Sequence, residues 1–181
     1  MSDTREEPAD GGGRTIRLVI GVFLVSAVLL ALGAGCWYYL HRRAYLREAE
    51  AVGRLNHKLA IEHQALTDAE FEQAIALTDS TDWEVRMTAL SLAAASVRGW
   101  GDHPPRPSEA GRVAAIAARL LSDPDTRVRR NAVRAIGGLG AKEYVEQVRP
   151  LTRATDPHER RTAEEAVQRL DGLPNAESPA P

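Results

Sequence analysis

Three segments of this chain repeat one pattern of residues at matching offsets. The segments begin at Asp82, Asp125 and Asp156, and in each an Arg and an Ala stand four and seven residues after the Asp. A leucine stands five residues before each Asp, and further apolar residues stand eight and eleven residues before it. The spacing between segments is 43 and then 31 residues. Self-similarity at such a period indicates stacked copies of one supersecondary unit, which constrains the fold more than composition does.

Each copy predicts a pair of helices. The apolar positions before each Asp step by three residues, which is a helical period. No stretch has the sustained alternation that is typical of a strand, so we predict an all-α fold. The helices are expected at residues 68–78, 82–98, 108–121, 124–138, 141–153 and 157–171, with Pro150 bending or shortening the fifth.

Capping residues mark the helix starts. Thr67 with Glu70 forms a capping box for the first helix. Ser108 is a candidate N-cap for the third helix, and the Asp123-Pro124 pair marks the start of the fourth.

Glycine and proline mark a helix end and an insertion between the repeats. The glycines within residues 137–140 are expected to end the fourth helix. Residues 98–108 are dense in both residue types and fit one insertion, which accounts for the longer first spacing. The terminal segments, residues 1–17 and 172–181, are predicted to be disordered.

The helix pair with an Asp-x-x-Val-Arg-x-x-Ala pattern on its second helix resembles the bacterial HEAT-like repeat family, including repeats of the bilin-lyase type. The resemblance covers residues 66–171 as three helix pairs. It implies a short HEAT-like α-solenoid that acts as a protein–protein interaction or scaffold module. The third copy departs from the pattern, with Glu159 in place of Val and Glu164 in place of an apolar residue. Polar substitutions in a terminal repeat are typical of a capping unit.

The recurring charged residues are predicted to be structural. Each Asp lies in the first turn of its helix, where a carboxylate meets unpaired N–H groups and the positive end of the helix dipole. Each Arg is four residues further on, within reach of that Asp or of a neighbouring repeat's Asp. The predicted ladder consists of Asp82, Arg86, Asp125, Arg129, Asp156 and Arg160.

A charge-free run precedes the repeats. Residues 18–40 contain no Asp, Glu, Lys or Arg over 23 positions, long enough at about 1.5 Å per residue to cross a hydrocarbon core of about 30 Å. Aromatic residues at 37–39 and then Arg42 and Arg43 resemble an interfacial anchor. The sequence therefore predicts a single transmembrane helix, with residues 41–65 forming a juxtamembrane amphipathic helix that docks onto the following domain.

Three questions about this run stay open. Residues 32–36 loosely resemble a lipobox, which would make Cys36 a lipid-anchored N-terminus, and a cleaved secretory signal is a further reading. Lys and Arg number five in residues 41–65 against three in 1–17, which favours a cytoplasmic repeat domain. A row of small residues could pair two copies as a homo-oligomer: Ala27, Ala31 and Gly35.

Catalytic motifs are missing from the sequence. His158 and Glu159 begin a zinc-protease motif, but Thr162 stands where the second histidine ligand is needed. The single cysteine excludes a cysteine-based zinc cluster. We predict no enzyme activity, no cofactor and no metal. The net charge of −2 gives no general attraction to nucleic acid.

A protein partner is therefore the expected ligand. Stacked helices present surfaces to partners in solenoids, and Arg130 and Arg161 stand at equivalent repeat positions. Solvated arginines with acidic neighbours are the simpler interpretation. The candidate partner surface consists of Trp83, Trp100, Arg127, Arg130, Arg134 and Arg161. An accessory subunit of a membrane complex or of a lyase-type enzyme is the alternative function.

Overall fold

The computed structural model describes residues 12–99 and 104–173, with side chains described from Leu29 onward apart from His41 and Ala44. This part of the chain is helical and contains no strand, as predicted. It divides into two compact units between Tyr45 and Leu46. The α-helices are α1 (Gly12–Asn56), α2 (Asp68–Leu77), α3 (Trp83–Arg98), α4 (Ala110–Leu120), α5 (Thr126–Leu139), α6 (Val145–Val148) and α7 (Pro157–Asp171).

Short helical turns of other types join these helices. A π-helical turn, His57–Ile61, follows α1. Turns of 3-10 helix precede α4 at Pro107–Glu109 and flank α6 at Lys142–Tyr144 and Arg149–Arg153.

The first unit is the amino-terminal part of α1. Its described residues from Leu29 to Leu40 are all exposed. Among the described residues, no helix combines the length and apolarity that are needed to cross a membrane. The predicted anchor at 18–40 falls partly on residues 18–28, Ala27 among them, whose side chains lie outside the described part.

The predicted disordered tails fall mostly outside the described residues, which begin at 12 and end at 173. The amino-terminal boundary nevertheless differs from the prediction, because α1 begins at Gly12 rather than near residue 18.

The second unit stacks three helix pairs in the order of the repeats. The pairs are α2 with α3, α4 with α5, and the segment from Lys142 to Arg153 with α7. The alanine that recurs in each repeat lies in the core, since Ala89, Ala132 and Ala163 have no exposed surface. The helical repeat architecture is thus consistent with an α-solenoid.

Residues 46–61 pack on the first repeat. Val52, Leu55 and Leu59 are buried in one cluster with residues of α2 and α3, including Ala74 and Leu92. The predicted docking of residues 41–65 onto the following domain is therefore confirmed for its apolar residues between 51 and 59. The second compact unit accordingly begins at Leu46, upstream of the predicted start of the repeat region at residue 66.

Three predictions about helix ends have different outcomes. The capping box of α2 is confirmed, since Thr67 accepts from the Glu70 N–H and Glu70 accepts from the Thr67 N–H. Pro150 does shorten its helix, because α6 ends at Val148 and continues as a 3-10 turn. Ser108 is wrong as an N-cap, because it lies inside a 3-10 turn and α4 begins without a side-chain cap.

The start of α5 also differs from the prediction. The sequence predicts Pro124 in the first turn, but the helix begins at Thr126 with Asp125 as its N-cap. Asp123 lies before the helix, where its carboxylate accepts a hydrogen bond from the Asp125 N–H. The end of α5 is as predicted, with Gly140 in the left-handed conformation at φ 68°.

Candidate partner-binding groove

The second helices of the three pairs, α3, α5 and α7, form a groove of about 310 Å³ along one side of the second unit. Four of its lining residues are small, three are uncharged and polar, and four are charged. They are Ala94, Ala135, Gly137 and Ala166; Ser91, Asn131 and Thr162; and Arg98, Arg134, Arg169 and Glu165.

Two glycines of α5 shape this groove. A Cβ at Gly137 would lie 3.1 Å from the Cβ of Ala166, so the glycine lets α5 and α7 approach closely. A Cβ at Gly138 would lie 2.6 Å from Nη1 of Arg98. The missing side chain at Gly138 therefore gives the guanidinium of Arg98 room to lie against α5.

Three arginines give the groove its positive charge. Arg98, Arg134 and Arg169 are exposed, and none forms a hydrogen bond or ion pair within residues 12–99 and 104–173. Glu165 is the one carboxylate in the lining, and it accepts a hydrogen bond of 2.9 Å from Nε of Arg161. The arrangement can bind an anionic group, because guanidinium groups pair with carboxylates through charge-assisted hydrogen bonds.

Hydrogen bonds hold the helices that carry the groove. Nδ2 of Asn131 donates to the carbonyl oxygen of Met87 at 2.8 Å, and it also approaches Oγ of Ser91 at 3.0 Å. These bonds connect α5 to α3, two of the three helices that line the groove.

The predicted Asp residues cap the second helices. Oδ1 of Asp82 accepts from the N–H of Glu84 at 2.8 Å, and Oδ1 of Asp156 accepts from the N–H of Glu159 at 2.7 Å. Asp125 accepts from the N–H of Arg127 in the same way. Its pKa is lowered to about 2, first by the side-chain hydrogen bonds from Arg127.

The predicted Arg residues share one bond to their own repeat. Each donates from Nη1 to the carbonyl oxygen six residues earlier: Arg86 at 2.8 Å, Arg129 at 3.0 Å and Arg160 at 3.3 Å. This bond fixes the guanidinium beside the turn that precedes the second helix, pointing the remaining donors toward the next repeat.

The carboxylates that receive those donors come from the following repeat. Arg86 binds both oxygens of Asp123, at 2.7 and 2.8 Å, rather than one of the capping Asp residues. Arg129 binds both oxygens of Glu159, at 2.6 and 2.9 Å. The pKa of each guanidinium is raised, first by its hydrogen bonds to this carboxylate. Arg160 is exposed and has no carboxylate partner among the described residues.

Glu159 explains the departure of the third repeat from the pattern. Its side chain is 3% exposed and occupies the position of the buried valines Val85 and Val128. The carboxylate that repeat two supplies from Asp123 is supplied in repeat three from Glu159, because Ala154 stands at the position equivalent to Asp123. The prediction of a polar capping residue facing water is wrong for Glu159, although Glu164 is exposed.

The predicted partner residues do not form one surface. The Arg127 guanidinium carbon lies 3.2 Å from the centroid of the Trp83 ring, and Arg127 also binds Asp125, so these residues already bridge the first two repeats. Arg130 is half-buried, and its Nε has no hydrogen-bond partner among the described residues. Trp100 lies outside the described residues. Arg134 alone of the predicted set lines the groove, while Arg161 holds Glu165 at its edge.

Arg98 and Arg169 are not among the residues predicted from sequence. Neither has an equivalent arginine in another repeat, so a search for recurring residues overlooks them. A helical stripe could have found them. Lining residues step by three, four and seven positions along α3, at 91, 94 and 98, and along α7, at 162, 165 and 169.

Comparison with known families supports HEAT-like repeats in this chain. The family model for HEAT repeats matches residues 113–179, which include most of α4 and all of α5 to α7. HEAT repeats generally mediate protein–protein interaction. A search of curated proteins gives no match.

Proposed function

We propose that this chain is a scaffold protein that holds a protein partner in the groove between α3, α5 and α7 and has no catalytic activity. The observation that carries the proposal is the set of three exposed arginines, Arg98, Arg134 and Arg169, which lack ion-pair partners within the described residues. By contrast, each of four other arginines pairs with a carboxylate of another repeat: Arg86, Arg112, Arg119 and Arg129. Exposed charged groups without ion-pair partners, on a groove formed by packed helices, are suited to binding a partner of opposite charge.

Site-specific photo-crosslinking in the native cells tests this proposal. A photoreactive amino acid is placed at position 91 on α3 or at position 165 on α7, both exposed in the groove. Matched controls carry it at position 73 on α2 or position 115 on α4, which are exposed outside the groove.

The same protein adduct is expected from both groove positions and from neither control position. Equal adducts from all four positions, or no adduct from the groove, would contradict the proposal.

We also propose that residues 18–40 attach the chain to a membrane as a single-pass anchor. The run carries no charged residue, and the described residues Leu29, Leu30 and Leu32 are 64 to 75% exposed. Arg43 lies 4.9 Å from the Tyr39 ring centroid, a cation and an aromatic ring at the end of the run. Apolar helix surface of this kind is costly in water and is typical of a lipid contact.

Carbonate extraction of cell membranes tests the anchor. The full chain is expected in the pellet, and a variant with Leu24→Arg and Leu29→Arg is expected in the supernatant. Release of the unaltered chain by carbonate would contradict the proposal. Protease treatment of intact cells then tests orientation, and we expect the repeat domain to be protected as a cytoplasmic domain.

The two further proposals about this helix have their own tests. If Cys36 carries a lipid, Cys36→Ala will abolish membrane retention; an uncleaved helix predicts that retention is unchanged. If Ala31 and Gly35 pair two copies of the chain, chemical crosslinking of membranes will give a dimer, and Gly35→Leu will abolish that dimer.

A further inference from the structure

We infer that the groove recognises a short acidic segment of its protein partner. This inference rests on the proposed function and specifies the chemistry of the partner. Three guanidinium groups face one carboxylate in the lining, and that carboxylate is already paired with Arg161. A carboxylate-rich segment would supply the partners that Arg98, Arg134 and Arg169 lack among the described residues.

The floor of the groove suits a peptide backbone. Ala94, Ala135, Gly137 and Ala166 project at most one methyl group, so a bound chain can approach the helices closely. Because Gly138 has no side chain, the guanidinium of Arg98 lies against α5. Arg134 is also on α5. The guanidinium groups of Arg98 from repeat one and Arg134 from repeat two therefore both lie at α5. This concentrates more positive charge than either helix would provide alone.

Nucleic acid fits the groove less well than an acidic peptide. Single-stranded nucleic acid is usually held by aromatic side chains that stack on bases as well as by cations. None of the described lining residues is aromatic, and the whole chain has a net charge of −2. The positive charge is therefore local to the groove, as required for a short acidic segment.

Fluorescence anisotropy with defined probes tests the inference. The full chain, purified in a non-ionic detergent, is titrated against a labelled 12-residue peptide of alternating Glu and Ala, with alternating Gln and Ala as the neutral probe. We expect the acidic peptide to bind at least about tenfold more tightly than the neutral one, with affinity falling as salt is raised. A 12-nucleotide thymidine oligomer serves as the competing class of ligand.

Variants identify the groove as the site. The triple change Arg98→Gln, Arg134→Gln and Arg169→Gln is expected to weaken the acidic peptide roughly tenfold or more. Arg153→Gln is the matched control, because Arg153 is exposed, lies outside the groove and has no ion pair within the described residues. Reversal of all three to Glu should convert the groove to bind a Lys–Ala peptide instead.

Equal binding by the unaltered chain and the triple Gln variant, or tighter binding of the thymidine oligomer than of the acidic peptide, overturns the inference. The photo-crosslinking experiment is independent of peptide charge. A groove adduct without acidic-peptide binding would therefore overturn this inference and leave the proposed function standing, whereas loss of both would remove both.

Discussion

At the residue scale, the ion pair between Arg129 and Glu159 joins repeat two to repeat three. Glu159 is buried, and a buried carboxylate is costly unless its partner is present. Its position is a valine in the other two repeats, so the pair replaces an apolar contact rather than adding to one.

Arg129→Met is expected to destabilise the chain by about 3 kcal/mol, because it leaves the Glu159 carboxylate buried without its guanidinium. The double variant Arg129→Met, Glu159→Val restores the valine of the other repeats and should recover most of that loss. Urea unfolding followed by circular dichroism measures both changes in the free energy of unfolding. Losses that simply add in the double variant would show that the two side chains are not coupled.

Residue identity predicted the caps of this fold better than it predicted the ladder. The N-cap role of Asp82, Asp125 and Asp156 depends on backbone N–H groups two or three residues away, so local sequence is sufficient. The carboxylate that receives each Arg lies 37 or 30 residues further on, at a different offset in each repeat. Spacing alone cannot choose among the acids that stacking brings together, and from sequence Glu159 is therefore interpreted as a polar residue of a capping unit.

At the element scale, two adjacent glycines of α5 have different neighbours. Gly137 lies against α7, and Gly138 lies against the side chain of Arg98 from α3. A Cβ placed on Gly137 would lie 3.3 Å from the Cα of Ala166, and the backbone of a packed helix cannot yield cheaply. For a Cβ placed on Gly138, the three nearest atoms all belong to the flexible side chain of Arg98.

The change in the free energy of unfolding should therefore have opposite signs in the Gly137→Ala and Gly138→Ala variants. Alanine gains roughly 1 kcal/mol over glycine within a helix, but at Gly137 overpacking against α7 costs about 1–3 kcal/mol. We expect Gly137→Ala to be the less stable variant and Gly138→Ala to be at least as stable as the unaltered chain. Gly138→Ala should nevertheless weaken the acidic peptide, since it displaces Arg98. Thermal unfolding gives the stability order, and the reverse order would contradict the packing described for Gly137.

The segment that precedes the repeats is held to α2 by a titratable pair. The Glu70 carboxylate accepts from Nζ of Lys58 at 2.6 Å and from the Thr67 N–H at 2.7 Å. These bonds, that of Lys58 first, lower the pKa of Glu70 from 4.5 to about 2. Because the pKa is lower in the folded state, the contact stabilises the fold above pH 4.5 and is lost as the pH falls toward 2.

Glu70→Gln is therefore expected to lower the melting temperature at pH 7 and to lose that deficit between pH 4.5 and about 2. Glu143→Gln is the control, because Glu143 is exposed and forms no ion pair within the described residues. Melting curves at half-unit pH steps check both variants. A deficit for Glu70→Gln that persists unchanged at pH 2 would mean that the ionised carboxylate does not provide the stability.

At the scale of the whole molecule, the repeat pattern predicted the helix pairs and their order, but not the groove. Periodicity reports which residues face the core, and those positions are buried as expected at Ala89, Ala132 and Ala163. The groove is formed by residues from three helices, and none of its three arginines has an equivalent arginine in another repeat. Its composition follows from stacking, which sequence spacing does not specify.

The charge dependence of crosslinking in cells tests the central claim most directly. The photoreactive amino acid at position 91 is combined with the change of Arg98, Arg134 and Arg169 to Gln, or with Arg153→Gln as control. Because all four arginines are exposed and lack ion pairs in the described part of the chain, neither variant should alter folding. We predict that adduct yield falls roughly tenfold in the triple variant and is unchanged in the control. Equal adduct yield in both would contradict the claim that these three arginines hold the partner in the groove.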